Sequence, residues 1–344
     1  MAAYTTIDDP SAYFKVQLYT GNGSTQSITF DDTDTDLQPN MLWIKCRTGS
    51  EDHVLSDSVR GDSGASSGFY ELRPDTTQAS GSGSYNGLIT ALNSDGFSVG
   101  NNDVVNTNTE PYVAWAWKET ATAGFDMLTY SGNSTNRTIS HSLSAVPEMM
   151  IIKETSGSAD GGNQAWSVYH QATGNTHFVP LNTSEAAIDN NTEFNDTTPT
   201  SSVFTVGTAN RTNNSNGAYI AYLFAPKQGF SKFGSYTGNG DADGPFVYTG
   251  FRPAWVMGRR TDEANNWFIF DNKRSTFNLT DDKLRADTTA AEDDNTSKAI
   301  DILSNGIKIR SSDEEFNDSG GTYIYMAFAE APFVNSEGVP GNAR

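Results

Sequence analysis

The sequence predicts an all-β protein made of three tandem antiparallel β-sandwich modules of the jelly-roll or lectin-like type. A short pattern recurs at nearly equal intervals, as Tyr19-Thr-Gly-Asn-Gly23, Tyr130-Ser-Gly-Asn-Ser134 and Tyr236-Thr-Gly-Asn-Gly240. Such a repeat indicates an internal triplication. Between the repeats, short apolar runs alternate with turns rich in Gly, Asn and Asp, and no long helical period occurs, which is typical of antiparallel sheets.

The repeat divides the chain into an N-terminal docking arm (residues 1–14), module 1 (15–120), module 2 (121–226), module 3 (227–334) and a polar C-terminal tail (335–344). Modules of about 105 residues are long enough to bury a core of their own. The arm carries Tyr4, Tyr13 and Phe14, so we expect it to dock rather than to fray.

In each module a proline precedes a nearly all-apolar run, at residues 41–44, 149–152 and 254–257. Runs of this kind predict strands that lie between two packed layers. A hairpin partner follows each run, at residues 53–57, 166–170 and 267–271. The closing runs of modules 1 and 3, Val113-Ala-Trp-Ala-Trp117 and Ile324-Tyr-Met-Ala-Phe328, alternate small with large residues and predict a central strand with two unequal faces. Helical turns are expected only at residues 184–188 and 289–292.

Charge and composition exclude several classes of function. The chain has 22 Lys and Arg against 42 Asp and Glu, a net charge of −20, which repels phosphate backbones and anionic lipids. We therefore expect no nucleic-acid partner, and a cationic partner fits better. No apolar run is long enough for a membrane span and no leader pattern is present, so no membrane insertion is expected. The single cysteine, Cys46, excludes an internal disulfide and is predicted to be a small core residue.

Two acidic stretches have a calcium-like spacing, residues 31–36 and 239–244. Counted as helix-loop-helix calcium loops, they have Trp43 and Gly250 where a bidentate Glu is needed, so aspartates in solvated turns are the favoured interpretation, with a shallow, non-classical calcium site at either stretch as the alternative. The four histidines, at positions 53, 141, 170 and 177, lack a metal-ligand spacing. No catalytic, cofactor-binding or metal-binding residue is predicted, no cofactor is expected, and the chain is predicted not to be an enzyme.

Exposed aromatic rings on a β-sandwich could stack on sugar rings. Most aromatic residues of this chain fall on repeated strand positions, where core packing is the better explanation. Only Tyr70, Tyr85 and Phe194 lie in loop-like surroundings that differ between modules, and a local mini-core is the favoured role there.

Several longer phrases carry a resemblance to a known family. They are PNMLWIK (39–45), DSVRG (57–61), SDGF (94–97), VNTN (105–108), YVAWAW (112–117), GFSKFGSYTGNG (229–240) and YIYMAFAEAP (323–332). The chain resembles, over residues 1 to about 333, a repeated β-domain family of virion proteins of tailed bacteriophages, especially marine ones, often described as tail fibres. The resemblance implies a particle component and supplies no catalytic residues. Module 2 departs most, with His170 in place of the Asp-x-x-Arg pairs of Asp57 with Arg60 and Asp271 with Arg274.

Three functions remain open. The first is a tail-associated or tail-fibre protein, a homo-oligomer with a trimer as one option, that contacts neighbouring virion proteins and a host surface glycan or protein. The second is a capsid decoration protein. The third, a polysaccharide-degrading tail spike, is the least favoured because the chain has no paired-carboxylate motif. In each case the expected location is the virion, at the tail or the capsid surface, after assembly in the host cytoplasm.

Overall fold

A computed structural model describes residues 4–31, 35–61, 68–80, 88–157 and 164–341. In the first third of the chain the strands are β1 (Phe14–Thr20), β2 (Gln26–Ile28), β3 (Met41–Cys46), β4 (Val54–Asp57), β5 (Glu71–Leu72), β6 (Ile89–Asn93), β7 (Gly96–Val99) and β8 (Pro111–Trp117). In the second third they are β9 (Phe125–Ser131), β10 (Arg137–Ser140), β11 (Met149–Ser156), β12 (Ser167–His170), β13 (His177–Pro180), β14 (Ile188–Asp189), β15 (Val203–Val206) and β16 (Ala218–Phe224). In the last third they are β17 (Ser231–Thr237), β18 (Phe246–Tyr248), β19 (Phe251–Arg260), β20 (Phe268–Asp271), β21 (Asp282–Arg285), β22 (Asp293–Asp294), β23 (Ile300–Leu303), β24 (Gly306–Ile309) and β25 (Thr322–Pro332).

Each third of the chain forms one large and one small antiparallel sheet. The large sheets have the strand orders β1-β8-β3-β4-β5, β9-β16-β11-β12-β13-β14 and β17-β25-β19-β20-β21-β22. The small sheets are β2-β7-β6, β10-β15 and β18-β24-β23. In every large sheet the first strand of the module pairs with its last strand, which also pairs with the strand that carries the apolar run, namely β3, β11 or β19. The predicted all-β sandwich class is confirmed, whereas a common origin of the three parts stays a prediction.

The helical segments are short, and they are not where the sequence predicted them. They are a 3-10 helix (Pro10–Ala12) and four single turns, α1 (Asp103–Asn106), α2 (Asn191–Phe194), α3 (Asn210–Asn213) and α4 (Glu314–Asn317). The prediction of helical turns at 184–188 and 289–292 was wrong, because these residues are irregular except for Ile188, which begins the short edge strand β14. Alanine content there favours a helix only weakly, and tertiary pairing overrides it.

The recurrent Tyr-Thr-Gly-Asn-Gly pattern binds a buried asparagine at the end of a helical turn. In module 2 the Asn213 Nδ2 group donates to the carbonyls of Gly207 (2.6 Å) and Thr135 (2.7 Å), and Asn133 N donates to Asn213 Oδ1 (2.9 Å). A Cβ atom on Gly132 would lie 2.0 Å from the Asn214 carbonyl oxygen, so this position requires glycine. Asn106 and Asn317 make the corresponding bonds in modules 1 and 3.

The strands of each large sheet face two different cores. On β8, Tyr112, Ala114 and Ala116 pack between the two sheets of module 1, while Trp115 and the other odd-numbered residues pack in a central core. This arrangement agrees with the predicted unequal faces of the closing strands.

The central core is shared by all three modules. Its rings include Trp117 and Trp255, whose centroids are 5.6 Å apart, and Phe224 and Phe328, which are 6.0 Å apart. The expectation that each module buries a core of its own therefore describes only one of the two faces of each large sheet. One face of each large sheet is covered inside its module, and the opposite face is covered by the other two modules.

The N-terminal arm packs on the same chain. Ile7 joins the central core, Thr5 Oγ1 donates to the Gln228 carbonyl (2.8 Å), and the Tyr4 hydroxyl donates to the Gly250 carbonyl (2.8 Å). The described part of the arm thus docks as expected, and its order requires no second subunit.

The two described ends also lie together. The rings of Tyr4 and Phe333 are 6.4 Å apart, and Gly341 N donates to the Phe333 carbonyl (2.7 Å). None of the described helices is long and apolar enough to cross a membrane.

Candidate functional site

The junctions between modules repeat in a cycle. A ring side chain at the start of each hairpin partner strand bonds a backbone carbonyl of another module. The three bonds join His53 Nε2 to Arg285 O (2.8 Å), Trp166 Nε1 to Arg73 O (3.0 Å) and Trp267 Nε1 to Pro180 O (2.9 Å). His53 can take the place of a tryptophan because its Nδ1 accepts the Trp43 indole N–H (2.9 Å), which leaves the proton on Nε2.

A second set of junction bonds runs between main chains. The amides of Ser80, Ala187 and Glu292 donate to the carbonyls of Thr155, Thr261 and Arg47, at 2.9, 2.9 and 2.7 Å respectively. Module 1 thereby bonds module 2, module 2 bonds module 3, and module 3 bonds module 1. The three modules form a closed ring within one chain.

The buried Asp-x-x-Arg pairs belong to these junctions. Asp57 accepts from Arg60 (2.6 Å) and from the Tyr222 hydroxyl of module 2 (2.7 Å). In the same way Asp271 accepts from Arg274 (2.6 Å) and from the Trp115 indole of module 1 (3.0 Å). These pairs therefore hold the modules together, and their carboxylates are occupied.

His170 makes the third junction of this type. The residue of module 3 that corresponds to Trp115 and Tyr222 is Met326, which has no hydrogen-bond donor. His170 bonds the Tyr325 carbonyl instead (3.2 Å), and its Nδ1 accepts from Ala172 N (3.1 Å). Burial lowers the pKa of His170 to about 4, so a neutral ring makes this bond. The departure of module 2 from the Asp-x-x-Arg pattern follows from the missing donor.

The carboxylates of the acidic stretch at 239–244 bond to other groups of the same chain. Asp241 Oδ1 accepts from Asp243 N (2.9 Å), and Asp243 lies 2.9 Å from Lys308 Nζ. Part of the other stretch, 31–36, lies outside the described residues. Within the described ranges, the only three potential metal ligands that converge are Asp281, Asp282 and Asp294, and no histidine joins them. Asp282 already accepts from Ser275 Oγ (3.0 Å).

The aromatic residues are distributed differently from the prediction. All six tryptophans are buried. Phe194 is buried against Tyr169 (5.7 Å between centroids) in the main core of module 2 rather than in a local mini-core, and Tyr85 lies outside the described residues. Tyr70 is 38 % exposed and lines an open groove of about 460 Å³ with Arg60.

Strand β18 exposes two aromatic rings that the sequence analysis did not single out. Phe246 and Tyr248 are 46 % and 47 % exposed, on the outward face of the edge strand of the small sheet of module 3. Val247 between them points inward and pairs with Ile307, as Ile28 pairs with Phe97 in module 1 and Ile139 with Phe204 in module 2.

This register identifies the outward neighbours in the other modules. They are Ser27 and Thr29 in module 1, and Thr138 and Ser140 in module 2, and all four are exposed. Module 3 therefore carries aromatic rings at two positions where modules 1 and 2 carry small hydroxyl side chains. An alignment of the three modules at these positions could have found the signal.

A groove of about 440 Å³ runs beside Tyr248, and we call it the Tyr248 groove. Tyr4 of the arm, Glu148 and Gln171 of module 2, and Lys232 and Tyr248 of module 3 line it. Lys232 Nζ lies 5.0 Å from the centroid of the Tyr248 ring and donates to the Tyr248 carbonyl (2.7 Å). The Tyr4 and Tyr248 hydroxyls are 3.2 Å apart. The half-exposed Tyr248 ring is thus fixed by two neighbours.

The polar side chains of the groove are held in place by hydrogen bonds within the protein. Gln171 Nε2 donates to Glu148 Oε2 (2.8 Å) and to the Phe233 carbonyl (2.9 Å). Burial raises the pKa of Glu148, an effect that Lys232 opposes, and burial likewise lowers the pKa of Lys232. The groove therefore combines an aromatic ring, an amide, one carboxylate (Glu148) and two lysines (Lys227 and Lys232). Such a set can stack on an apolar face and hydrogen-bond hydroxyl groups around it.

These features define a class of all-β protein in which three two-sheet sandwiches close into a ring around a shared aromatic core, with a groove at one junction. The chain belongs to the family described as "Domain of unknown function (DUF7483)", whose model matches residues 9–332. No curated protein matches the chain.

Proposed function

We propose that this chain is a non-enzymatic structural protein of a tailed-phage virion, a tail-associated or tail-fibre component that contributes to attachment to the host surface. The phage assignment rests on the resemblance of its sequence phrases to those of virion proteins. The structural role is supported by the closed ring of junctions.

The observation that carries the structural role is how the buried polar groups are used. Asp57, Asp271, His53 and His170 are all buried, and each bonds a partner in another module. A buried charged pair is costly unless its geometry is well satisfied. Buried polar groups that bond one module to another are typical of a component that must keep its shape.

Attachment is favoured over capsid decoration by the Tyr248 groove. A cement protein needs large surfaces that match capsid subunits, whereas a groove with fixed polar groups and an exposed ring suits a small ligand. Capsid decoration is the alternative, and a homo-oligomer, with a trimer as one option, is part of the proposal.

The test is the position and the copy number of the chain in purified particles. A tail-associated protein is expected to appear in a reconstruction of the particle at the tail, in a copy number that is a multiple of three or six. A copy number near that of the capsid subunit would favour decoration. Absence of the chain from purified particles would refute both assignments.

An activity test addresses the alternative that the chain is a polysaccharide-degrading tail spike. The protein is incubated with host surface polysaccharide, and newly formed reducing ends are measured. We expect none above the buffer control. A steady release of reducing ends would show that the non-enzymatic assignment is wrong.

A further inference from the structure

We propose that the Tyr248 groove, together with the exposed ring of Phe246, is a binding site for a neutral polysaccharide chain. This inference rests on the proposed role in attachment and adds the position of the site and the chemical class of its ligand.

The first argument is the exchange of side chains at the outward positions of β18. Ser27, Thr29, Thr138 and Ser140 show that small hydroxyl side chains satisfy the same strand in the other two modules. An exposed apolar edge strand is an aggregation hazard that proteins avoid. Two rings at these positions are therefore better explained by a ligand than by the stability of the fold.

The second argument is geometry. Residues 246 and 248 lie on one face of a strand, so their Cα atoms are about 7 Å apart. The two rings thus present consecutive apolar surfaces along one direction, as a chain of sugar rings would require. The apolar face of a sugar ring can stack on an aromatic ring while its hydroxyl groups remain free to hydrogen-bond. Gln171, Glu148 and Lys232 supply donors and acceptors beside Tyr248.

The third argument is charge. The chain has a net charge of −20, which repels acidic polysaccharides at long range. The groove lining adds two lysines, Lys227 and Lys232, against one carboxylate, Glu148, and this local excess of one positive charge is small beside the net charge of the chain. A neutral glycan is therefore the ligand class that fits.

A second copy of this chain fits the strand less well. Addition of a strand to the edge of a sheet needs free backbone groups. The Tyr248 carbonyl is bound by Lys232 Nζ (2.7 Å), and the Gly250 carbonyl is bound by the Tyr4 hydroxyl (2.8 Å). The side chains, rather than the backbone edge, are thus the exposed feature.

The experiment uses the full chain and the substitutions that modules 1 and 2 suggest. Phe246→Thr and Tyr248→Ser introduce the residue types of Thr138 and Ser140, so both variants are expected to fold. Phe277→Thr, at a 79 % exposed aromatic residue outside the groove, is the matched control. Binding of maltohexaose, cellohexaose, mannohexaose and chitohexaose is measured by titration calorimetry at millimolar concentration, with hyaluronan as the acidic comparison.

At least one neutral hexasaccharide is expected to bind the unmodified chain. Each groove substitution should weaken that binding about tenfold, as loss of one stacking contact implies. The Phe277→Thr variant should bind as the unmodified chain does. Circular dichroism melting of every variant separates loss of binding from loss of fold.

Either of two results would overturn the inference: no neutral hexasaccharide binds, or Phe246→Thr and Tyr248→Ser both bind as tightly as the unmodified chain. The inference and the proposed function can fail separately. A chain found in the tail that binds no glycan refutes only the groove assignment. A chain that binds a glycan but is absent from particles refutes only the virion assignment.

Discussion

A single buried asparagine per module holds the turn that repeats through the sequence, and its removal should be costly. Asn213→Ala removes the donors to the Gly207 and Thr135 carbonyls and the acceptor for Asn133 N. Buried backbone groups left without partners should lower the free energy of unfolding by about 3 kcal/mol. Asn101→Ala, at an exposed residue, is the control. Urea denaturation measures both, and equal midpoints would show that the asparagine does not hold the turn.

Glu71 gives the protein a pH dependence of a defined sign. Burial raises the pKa of Glu71 to about 7 from the usual 4.5, and Arg60 opposes this only in part. The folded state thus holds a proton that the unfolded state has lost, so this residue makes stability fall as the pH rises from about 4.5 to 7.

Glu71→Gln should therefore be more stable than the unmodified protein at pH 8, by about 2 kcal/mol, and nearly equal to it at pH 4. Denaturation midpoints across this range measure the difference. Glu337→Gln, at an exposed carboxylate, should leave the profile unchanged. A parallel pH profile for Glu71→Gln and the unmodified protein would contradict the assignment.

At the scale of one element, the tight turn after β9 depends on close approach of two backbones. Gly132→Ala would place a Cβ atom 2.0 Å from the Asn214 carbonyl oxygen, and backbone cannot move aside cheaply. We expect a loss of about 3 kcal/mol or more. Gly174→Ala is the comparison, because its φ of 79° strains alanine although no atom lies within 4 Å. Its expected loss is about 1 kcal/mol, and thermal melting that ranks the two variants in reverse order would contradict this steric account.

The sequence predicts some elements well and others poorly, for physical reasons. Alternation of small and large residues in Val113-Ala-Trp-Ala-Trp117 predicts a strand with two unequal faces, because side-chain direction alternates with a period of two. The single helical turns α1 to α4 are too short to show a helical period. Three of them, α1, α2 and α4, have a side-chain cap at the N-terminus, as where Asn102 Oδ1 accepts from Val104 N (3.0 Å).

The candidate site was harder to predict. Tyr4, Gln171 and Tyr248 come from distant parts of the chain, and only the closed ring brings them together. Phe246 and Tyr248 themselves were visible in the sequence, because the corresponding residues of the other two modules are Ser and Thr. The sequence could not predict which residues cover the face of each closing strand that carries the large side chains, since this depends on how the modules pack.

At the scale of the whole molecule, the shared core should make the modules interdependent. In module 2, Met149, Ile151, Trp166 and Tyr222 pack into the central core. A fragment of residues 121–226 would expose this face, so we expect it to bind a hydrophobic dye and to melt without a cooperative transition. The full chain should melt in one transition with equal calorimetric and van't Hoff enthalpies. A fragment that melts sharply would show that the modules are independent.

The two described ends of the chain, Tyr4 and Gly341, meet at Phe333, and this has a consequence for the order in which the segments are joined. Because Tyr4 and Gly341 both contact this residue, a short flexible linker could connect the termini. A circular permutant that starts at Thr122, in the exposed turn between β8 and β9, should then reach the same fold with a similar denaturation midpoint. Failure of that permutant to fold would mean that the native order of the segments is needed for folding, and that closeness of the two ends is not sufficient. Success would show that module 2, as well as module 1, can come first in the polypeptide.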